Sequence, residues 1–276
     1  MKTQSAFRLF IVLLSGCAGL LFAAPPEPLL YYNFNEGTSS FISKGTETEK
    51  MVAKGKKQKA GAPGSGVSGK ENDRAWDASE NTTCGPAAPL NESNVRSATD
   101  IPALDELTQF TMTFWFTSEQ FMGDAVRLVY KCDHMNQQKK GFVIRSYTTD
   151  YLNGKLALWL RIGDGSKTYT FVSKYYEAGQ GFNAYGIKTK WLFAAVTWDG
   201  EHVRFYYGDR ETPVEVSGFV TRFQGKIAAH KGPLILGNGD PSIRGLDGKM
   251  DNFRFYKNAL GIDELESIRQ SDVRGE

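Results

Sequence analysis

The sequence predicts an all-β sandwich of antiparallel strands that ends in one short helix. Nine apolar segments with alternating faces follow one another between residues 109 and 257, separated by turns rich in Gly, Asn and Asp. One of these turns is Asp199-Gly200, the dipeptide that best closes a two-residue hairpin. Only the segment 262–269 has helical spacing, with Leu265 and Ile268 on one face. Regular strand spacing with so little helix is typical of a sandwich.

Two strands are predicted before these nine, at 29–34 and 74–78. Residues 44–73 are rich in Gly, Lys, Ser and Ala, so we expect a flexible loop there. The segment 81–101 is also predicted as loop, with one short strand near Val95. No linker divides the chain, and one domain is expected over 28–270. The nine regular strands are predicted at 109–118, 126–131, 141–148, 155–163, 167–173, 191–199, 202–208, 233–238 and 249–257.

Period-two alternation assigns the strand side chains to two faces. The apolar face is expected to form the core, while the other face presents aromatic and arginine side chains. The residues predicted to be in the core are Phe110, Met112, Phe114, Phe116, Phe142, Ile144, Leu156, Leu158, Leu160, Ile162, Val203, Phe205 and Tyr207. The residues predicted to point outward are Trp115, Arg145, Tyr147, Trp159, Arg161, Arg204 and Tyr206.

These seven outward residues form a candidate carbohydrate-binding surface. Flat rings pack on the C–H faces of sugars, and arginine donates hydrogen bonds to hydroxyls or carboxylates. The surface requires that the strands be neighbours in one sheet. The alternative is that the arginine and aromatic side chains stack on each other across adjacent strands.

The N-terminal 24 residues have the parts of a secretory signal. Lys2 and Arg8 precede an apolar run that begins at Leu9. The run ends in small residues just before Pro25. The sequence around Cys17, Leu-Ser-Gly-Cys, also resembles a bacterial lipobox, whose cysteine would be lipidated. Both interpretations predict a secreted or cell-envelope protein (periplasm or outer surface), with membrane contact only through a lipid anchor at Cys17. The net charge of +2 argues against a nucleic-acid partner.

Export makes the cysteines informative. Once the signal is removed, Cys84 and Cys132 are the only pair. In an oxidising compartment two cysteines without C-x-x-C spacing indicate one disulfide. In the chain-entropy model a loop of that length contributes on the order of 4 kcal/mol to stability.

Two segments near the C-terminus resemble a known family. They are WLFAAVTWDG at 191–200 and GKMDNFRFYKNAL at 248–260. The laminin-G-like, concanavalin A-like jelly-roll domains carry a similar W-x-x-x-A-V-T-x-D-G hairpin, followed after a gap by G-K-I-D-x-V-R-I-Y-x-x-x-L. The resemblance implies a jelly-roll sandwich of two antiparallel sheets, whose concave sheet binds glycans in relatives. It also implies a ligand-binding domain more often than a catalytic one.

The same resemblance implies a structural calcium ion at Asp251. This residue shares the parity of Phe253 and Phe255, so it is expected to point toward the core. A buried carboxylate is costly unless it is paired with Arg, with backbone donors or with a cation. Calcium takes oxygen ligands, which Asn33, Asn35, Glu36 and Asp77 would supply. The alternative is that Asp251 accepts backbone N–H bonds or pairs with an arginine.

The sequence predicts no enzyme. Glucanases of this fold carry an E-x-D-x-E strand that places two carboxylates on one face, and no such triplet occurs in a predicted strand. Residues 175–179 (YYEAG) resemble one fragment of the alginate lyase pattern, Y-F-K-A-G, with Glu177 in place of its lysine, and the other two fragments are absent. We therefore expect an exported, non-catalytic module that binds an extracellular polysaccharide or glycoconjugate. The alternatives are a domain for adhesion to a cell-surface protein or an envelope-structural domain, and then a glucanase- or lyase-type enzyme.

Overall fold

The computed structural model describes residues 24–55, 60–79, 93–118, 126–133, 139–147, 157–173, 190–218, 220–239 and 245–276. Within these ranges sixteen strands form two antiparallel sheets, and one α-helix follows the last strand. The predicted all-β sandwich with a C-terminal helix is confirmed.

The first sheet has the strand order β1-β16-β6-β11-β12-β13, with β4 beside β16 and β14 beside β12. The hairpin predicted at Asp199-Gly200 joins β11 to β12, with Trp198 paired to Val203. The strands of this sheet are β1 (Leu30–Tyr32), β4 (Trp76–Asp77), β6 (Phe110–Phe116), β11 (Leu192–Trp198), β12 (His202–Asp209), β13 (Glu215–Val216), β14 (Thr221–Arg222) and β16 (Lys249–Tyr256).

The second sheet has the order β10-β9-β8-β7-β15-β5-β3-β2. A short 3-10 helix at Pro102–Leu104 follows β5. The strands of this sheet are β2 (Ser40–Ile42), β3 (Lys50–Lys54), β5 (Asn94–Asp100), β7 (Arg127–Cys132), β8 (Lys140–Tyr147), β9 (Ala157–Asp164), β10 (Thr168–Val172) and β15 (Pro233–Leu236).

The main core lies between the two sheets. Twelve of the thirteen predicted core residues belong to it, and the thirteenth, Leu156, lies outside the described residues. Alternation succeeds here because each strand has one apolar face that must leave water.

The helix α1 (Ile262–Arg274) covers the outer face of the first sheet. Leu265 and Ile268 are buried there, as predicted, in a second apolar cluster that we call the helix cluster. The helix runs five residues beyond its predicted end and stops at Gly275, whose left-handed φ of 65° terminates it. The members of the helix cluster are Val67, Ala75, Trp115, Trp191, Phe193, Ala195, Tyr206, Val214, Tyr256, Leu260, Leu265 and Ile268.

The flexible loop predicted at 44–73 is in part wrong. Strand β3 lies inside it and pairs with both β2 and β5. Met51 and Ala53 of this strand face the core, while Lys50 and Lys54 are exposed. The lysines and glycines around this short alternation hide it in a composition-based interpretation.

A β-bulge in β16 changes the predicted direction of Asp251. The register against β6 shifts between Asp251, which pairs with Trp115, and Arg254, which pairs with Thr113. The bulge residue Asn252 has a φ of 49°, in the left-handed region. Because one extra residue reverses the parity, Phe253 faces the core while Asp251 faces the helix side.

Candidate functional site

The seven predicted ligand-binding residues do not share one surface. Trp115, Arg204 and Tyr206 belong to the first sheet. Arg145, Tyr147, Trp159 and Arg161 belong to the second sheet. The prediction of one surface is therefore wrong, because alternation tells which face of a strand a residue occupies but not which sheet contains the strand.

Trp115 is a packing residue of the helix cluster. Its side chain is fully buried, its ring lies 5.3 Å from that of Phe193, and its Nε1–H donates to Oδ2 of Asp272 at 2.9 Å. Tyr206 is buried in the same cluster. The helix thus covers the aromatic face that the sequence indicated as open.

Arg204 is engaged in an ion pair at the surface. Its Nη1 lies 2.6 Å from Oδ2 of Asp199, and both side chains are about one-third exposed, at 29% and 32%. This pair lies at the β11–β12 hairpin, on the sheet opposite Trp159.

The second sheet brings the other predicted residues together. Arg145 on β8 lies directly opposite Trp159 on β9, and its guanidinium carbon is 3.5 Å from the centre of the Trp159 ring. The guanidinium carbon of Arg161 lies 4.6 Å from the same ring. Trp159 and Arg161 are partly exposed, and Arg145 is buried. Tyr147 lies opposite Ala157 in the next pair of the ladder.

This Arg–Trp–Arg arrangement, which we call the Trp159 cluster, combines two kinds of interaction. The guanidinium groups interact with the indole π system, as the alternative interpretation of the sequence expected. Guanidinium N–H groups also bind hydroxyls and, in bidentate geometry, carboxylates or sulfates. The cluster thus places an aromatic ring and directional donors at the same partly exposed point.

One neighbour of this cluster was missed from the sequence. Arg127 on β7 pairs directly with Arg145 and is 3% exposed. A register shift after Arg127 brings it to the same face as Tyr130 and Cys132. Simple alternation along 126–131 instead groups it with Val129 and Lys131. No pattern in the sequence indicates that bulge.

The buried side chain of Asp251 accepts two hydrogen bonds from backbone N–H groups. Oδ2 accepts the N–H of Val67 at 2.9 Å and Oδ1 accepts the N–H of Asn252 at 2.8 Å. Burial, and next the negative charge of Asp73, raise the pKa of Asp251 well above its usual value. The structure therefore has the alternative arrangement given above, in which Asp251 accepts backbone N–H bonds.

The structure places two of the five predicted calcium ligands, Asn33 and Asn35, in one pocket. Asn33 and Asn35 line a polar pocket of about 320 Å³ beside the end of α1, together with Asp73, Asn252 and Asp272. Asp77 Oδ1 accepts the N–H of Ser79 at 2.9 Å. Glu36 has one buried oxygen for which the described residues provide no hydrogen-bond partner. Among the described residues, no three His, Cys, Asp or Glu side chains form a group that would hold a metal. Calcium binding stays a prediction.

The buried pair Arg254–Asp272 ties the helix to the first sheet. Two nitrogen–oxygen distances, 2.6 and 2.8 Å, define a bidentate ion pair, and the side chains are 8% and 1% exposed. The guanidinium carbon of Arg254 also lies 4.0 Å from the ring centre of Tyr31. Burial raises the pKa of Asp272, while Arg254 and the Trp115 hydrogen bond act in the opposite direction.

The predicted disulfide between Cys84 and Cys132 is not tested. Cys132 is buried on β7 and has no disulfide partner among the described residues, and burial raises the pKa of its thiol to about 12. Cys84 lies outside the described residues.

Residues 91–266 match the family model Laminin_G_3, described as the concanavalin A-like lectin/glucanases superfamily. The match covers more than half of the chain, and the protein belongs to this family. The predicted resemblance to laminin-G-like jelly-roll domains is therefore confirmed.

Solved structures similar to this chain have the same fold at low sequence identity. The binding domain of Paraclostridial mosquitocidal protein 1 is 14% identical, with a TM-score of 0.56, over 89% of this chain and 52% of that one. Domain 4 of an extracellular arabinanase from Geobacillus stearothermophilus, in complex with arabinotriose, is 16% identical, with a TM-score of 0.51, over 89% and 100%. The botulinum neurotoxin serotype D binding domain is 11% identical, with a TM-score of 0.55, over 89% and 51%.

The chain thus spans about half the length of the two toxin domains. No curated protein matches it. In the part of the chain that the structure describes, no helix has the length and apolarity needed to cross a membrane.

Proposed function

We propose that this protein is an exported, non-catalytic module that binds an extracellular glycan at the Trp159 cluster. The observation that carries the proposal is the partly exposed Trp159 indole with two guanidinium groups within 5 Å of its centre. Family membership supports a binding role, and an arabinanase domain of this fold is known in complex with arabinotriose.

The position of the cluster supports this choice over the first sheet. Helix α1 buries Trp115 and Tyr206, so a ligand has no access to them. The Trp159 cluster lies on the opposite sheet, beside the exposed Thr168 and Thr170 of β10. Sugar sites combine an aromatic platform with polar groups that fix the orientation of the hydroxyls, and this corner of the sheet offers both.

The non-catalytic part of the proposal follows from the kind of group present. Glycoside hydrolysis requires two carboxyl groups on either side of the scissile bond. The Trp159 cluster presents an indole and guanidinium groups, which bind and orient a ligand. A carboxylate pair would have to come from another part of the chain.

Export is part of the proposal because the expected ligand is extracellular. The N-terminal signal and the alternative lipobox at Cys17 both lead to the cell envelope or the medium. A lipid anchor at Cys17 would hold the domain at a membrane surface, and cleavage near residue 24 would release it. Mass spectrometry of the exported protein distinguishes these outcomes by its N-terminal residue and by the presence of lipid.

The proposal is tested by binding to a polysaccharide and glycan array, with and without a calcium chelator. We expect Trp159→Ala to abolish glycan binding and Arg204→Ala to leave it unchanged. Arg204 is a suitable control because it is a surface arginine in a strand of the opposite sheet. A chelator that removes binding would support the calcium prediction.

Two outcomes would overturn the proposal. Equal glycan binding by the Trp159→Ala variant and the unmodified protein would show that the Trp159 cluster is not the binding site. Failure of the folded protein to bind any glycan would favour the alternative of a protein-interaction or envelope-structural domain.

A further inference from the structure

The two sheets differ strongly in charge. The eight strands of the second sheet carry eight basic and two acidic side chains, whereas those of the first sheet carry four of each. Among the strand residues, the excess of positive charge is therefore found in the second sheet. The basic residues of the second sheet are Lys50, Lys54, Arg96, Arg127, Lys131, Lys140, Arg145 and Arg161.

The two acidic side chains of this sheet lie at strand ends, where each is engaged in local contacts. Asp100 at the end of β5 pairs with Lys131 at 2.8 Å. Asp164 at the end of β9 accepts the N–H groups of Ser166 and Lys167 in the turn to β10. Neither carboxylate belongs to the Trp159 cluster.

Three arginines occupy adjacent positions across three strands. Arg127, Arg145 and Trp159 lie in register on β7, β8 and β9, and Arg161 lies two residues beyond Trp159 on the same face. A concentration of guanidinium groups around a partly exposed aromatic ring favours a ligand that carries negative charge.

We propose that the glycan bound at the Trp159 cluster is acidic, with carboxylate or sulfate groups that Arg161 and its neighbours bind. This inference rests on the proposed function and specifies its ligand class. Arg161 is the partly exposed arginine of the cluster, whereas Arg145 and Arg127 are buried, so Arg161 is the arginine that solvent reaches. The planar guanidinium matches both carboxylate and sulfate oxygens in bidentate geometry.

The test uses oligosaccharides of matched length: neutral arabinan or glucan, oligogalacturonate and a sulfated glycan. Isothermal titration is run on the purified protein at low and high NaCl concentrations. We expect binding to an acidic oligosaccharide, weakened at high salt because exposed charges are screened. The preferred acidic ligand then identifies the carboxylate or the sulfate as the recognised group.

The variants separate charge from position. Arg161→Ala is expected to weaken acidic-glycan binding on the order of 10-fold or more, and Arg161→Lys, which keeps the charge but loses the fork, to weaken it less. The matched control is the double variant Lys50→Ala/Lys54→Ala on the same sheet. Strand β3 is five strand spacings from β9, roughly 24 Å. The double variant should therefore leave the affinity for a short oligosaccharide unchanged.

The outcomes distinguish this inference from the proposed function. Salt-independent binding of neutral glycans alone, lost in Trp159→Ala, would leave the proposed function intact and overturn the acidic ligand. Equal losses in Arg161→Ala and in the lysine double variant would point to nonspecific charge attraction and also overturn it. Absence of binding to every glycan would overturn both. Thermal unfolding of each variant confirms that the fold is retained.

Discussion

Removing Arg254 tests whether a buried ion pair holds the C-terminal helix on the sandwich. Arg254→Met keeps an unbranched side chain of similar length but removes both hydrogen bonds to Asp272, whose side chain is 1% exposed. Breaking a buried pair from one side leaves an uncompensated charge and costs about 3–5 kcal/mol. We expect that loss in the free energy of unfolding at pH 8, measured by urea denaturation.

The pH dependence of this loss follows from Asp272. Burial already raises the pKa of Asp272 in the folded protein, and Arg254 opposes that rise. Removing Arg254 therefore raises the pKa further. A carboxyl group with a raised folded-state pKa favours the fold when it is protonated, and this contribution is lost as the pH rises through the folded-state pKa. The destabilisation by Arg254→Met should thus be largest at pH 8 and smaller at pH 4.

The matched control is Arg204→Met, which breaks the exposed pair with Asp199. Surface ion pairs contribute about 0–1 kcal/mol, so this variant should lose little at either pH. Equal losses in the two variants, or an Arg254→Met loss that does not shrink at pH 4, would refute the argument that a buried, uncompensated Asp272 carboxylate causes the effect.

Three further predictions follow from buried contacts, each checked by urea denaturation. Lys131→Met should cost about 3–5 kcal/mol because Asp100 and Asp105 lose a buried partner; Lys231→Met, at an exposed lysine on the same carboxylates, should cost less than about 1 kcal/mol. Gly141→Ala should cost about 2–4 kcal/mol, because φ is +73° and the new Cβ would collide with the carbonyl oxygen of Lys131; a smaller loss would show that β7 can move. Trp115→Phe should lower the free energy of unfolding by about 1.5–3 kcal/mol, because the hydrogen bond to Asp272 is lost, and should leave glycan binding unchanged. Loss of glycan binding in a folded variant would instead place Trp115 in the ligand site.

Strand positions and core faces were predictable because they depend on local patterns. The segment 109–118 alternates over its whole length, and β6 occupies 110–116 with Phe110, Met112, Phe114 and Phe116 in the core. Strand β3 was not predictable, since only two of its five side chains, Met51 and Ala53, face the core, and exposed lysines stand at both ends. Pairing with the nearby β2 on one side and with the more distant β5 on the other stabilises it as a strand.

The candidate site was predictable only in part. Arg145, Trp159 and Arg161 lie on neighbouring strands, so alternation along β8 and β9 was enough to place them on one face. Trp115 has the same pattern, but a helix more than 140 residues later in the chain covers it. The direction of Asp251 was wrong because a single left-handed residue, Asn252, reverses the parity that was counted from Phe253.

The sequence by itself determined the fold class, the family, most strands and the residues of the core, because hydrophobic periodicity and turn chemistry are local properties of the chain. The tertiary structure decided which sheet each strand joins, which face the helix covers and where bulges shift the register. These features depend on contacts between distant segments, such as Arg254 with Asp272 or Val67 with Asp251. Only that long-range packing separates the buried Trp115 from the partly exposed Trp159, and so a structural tryptophan from the proposed ligand site.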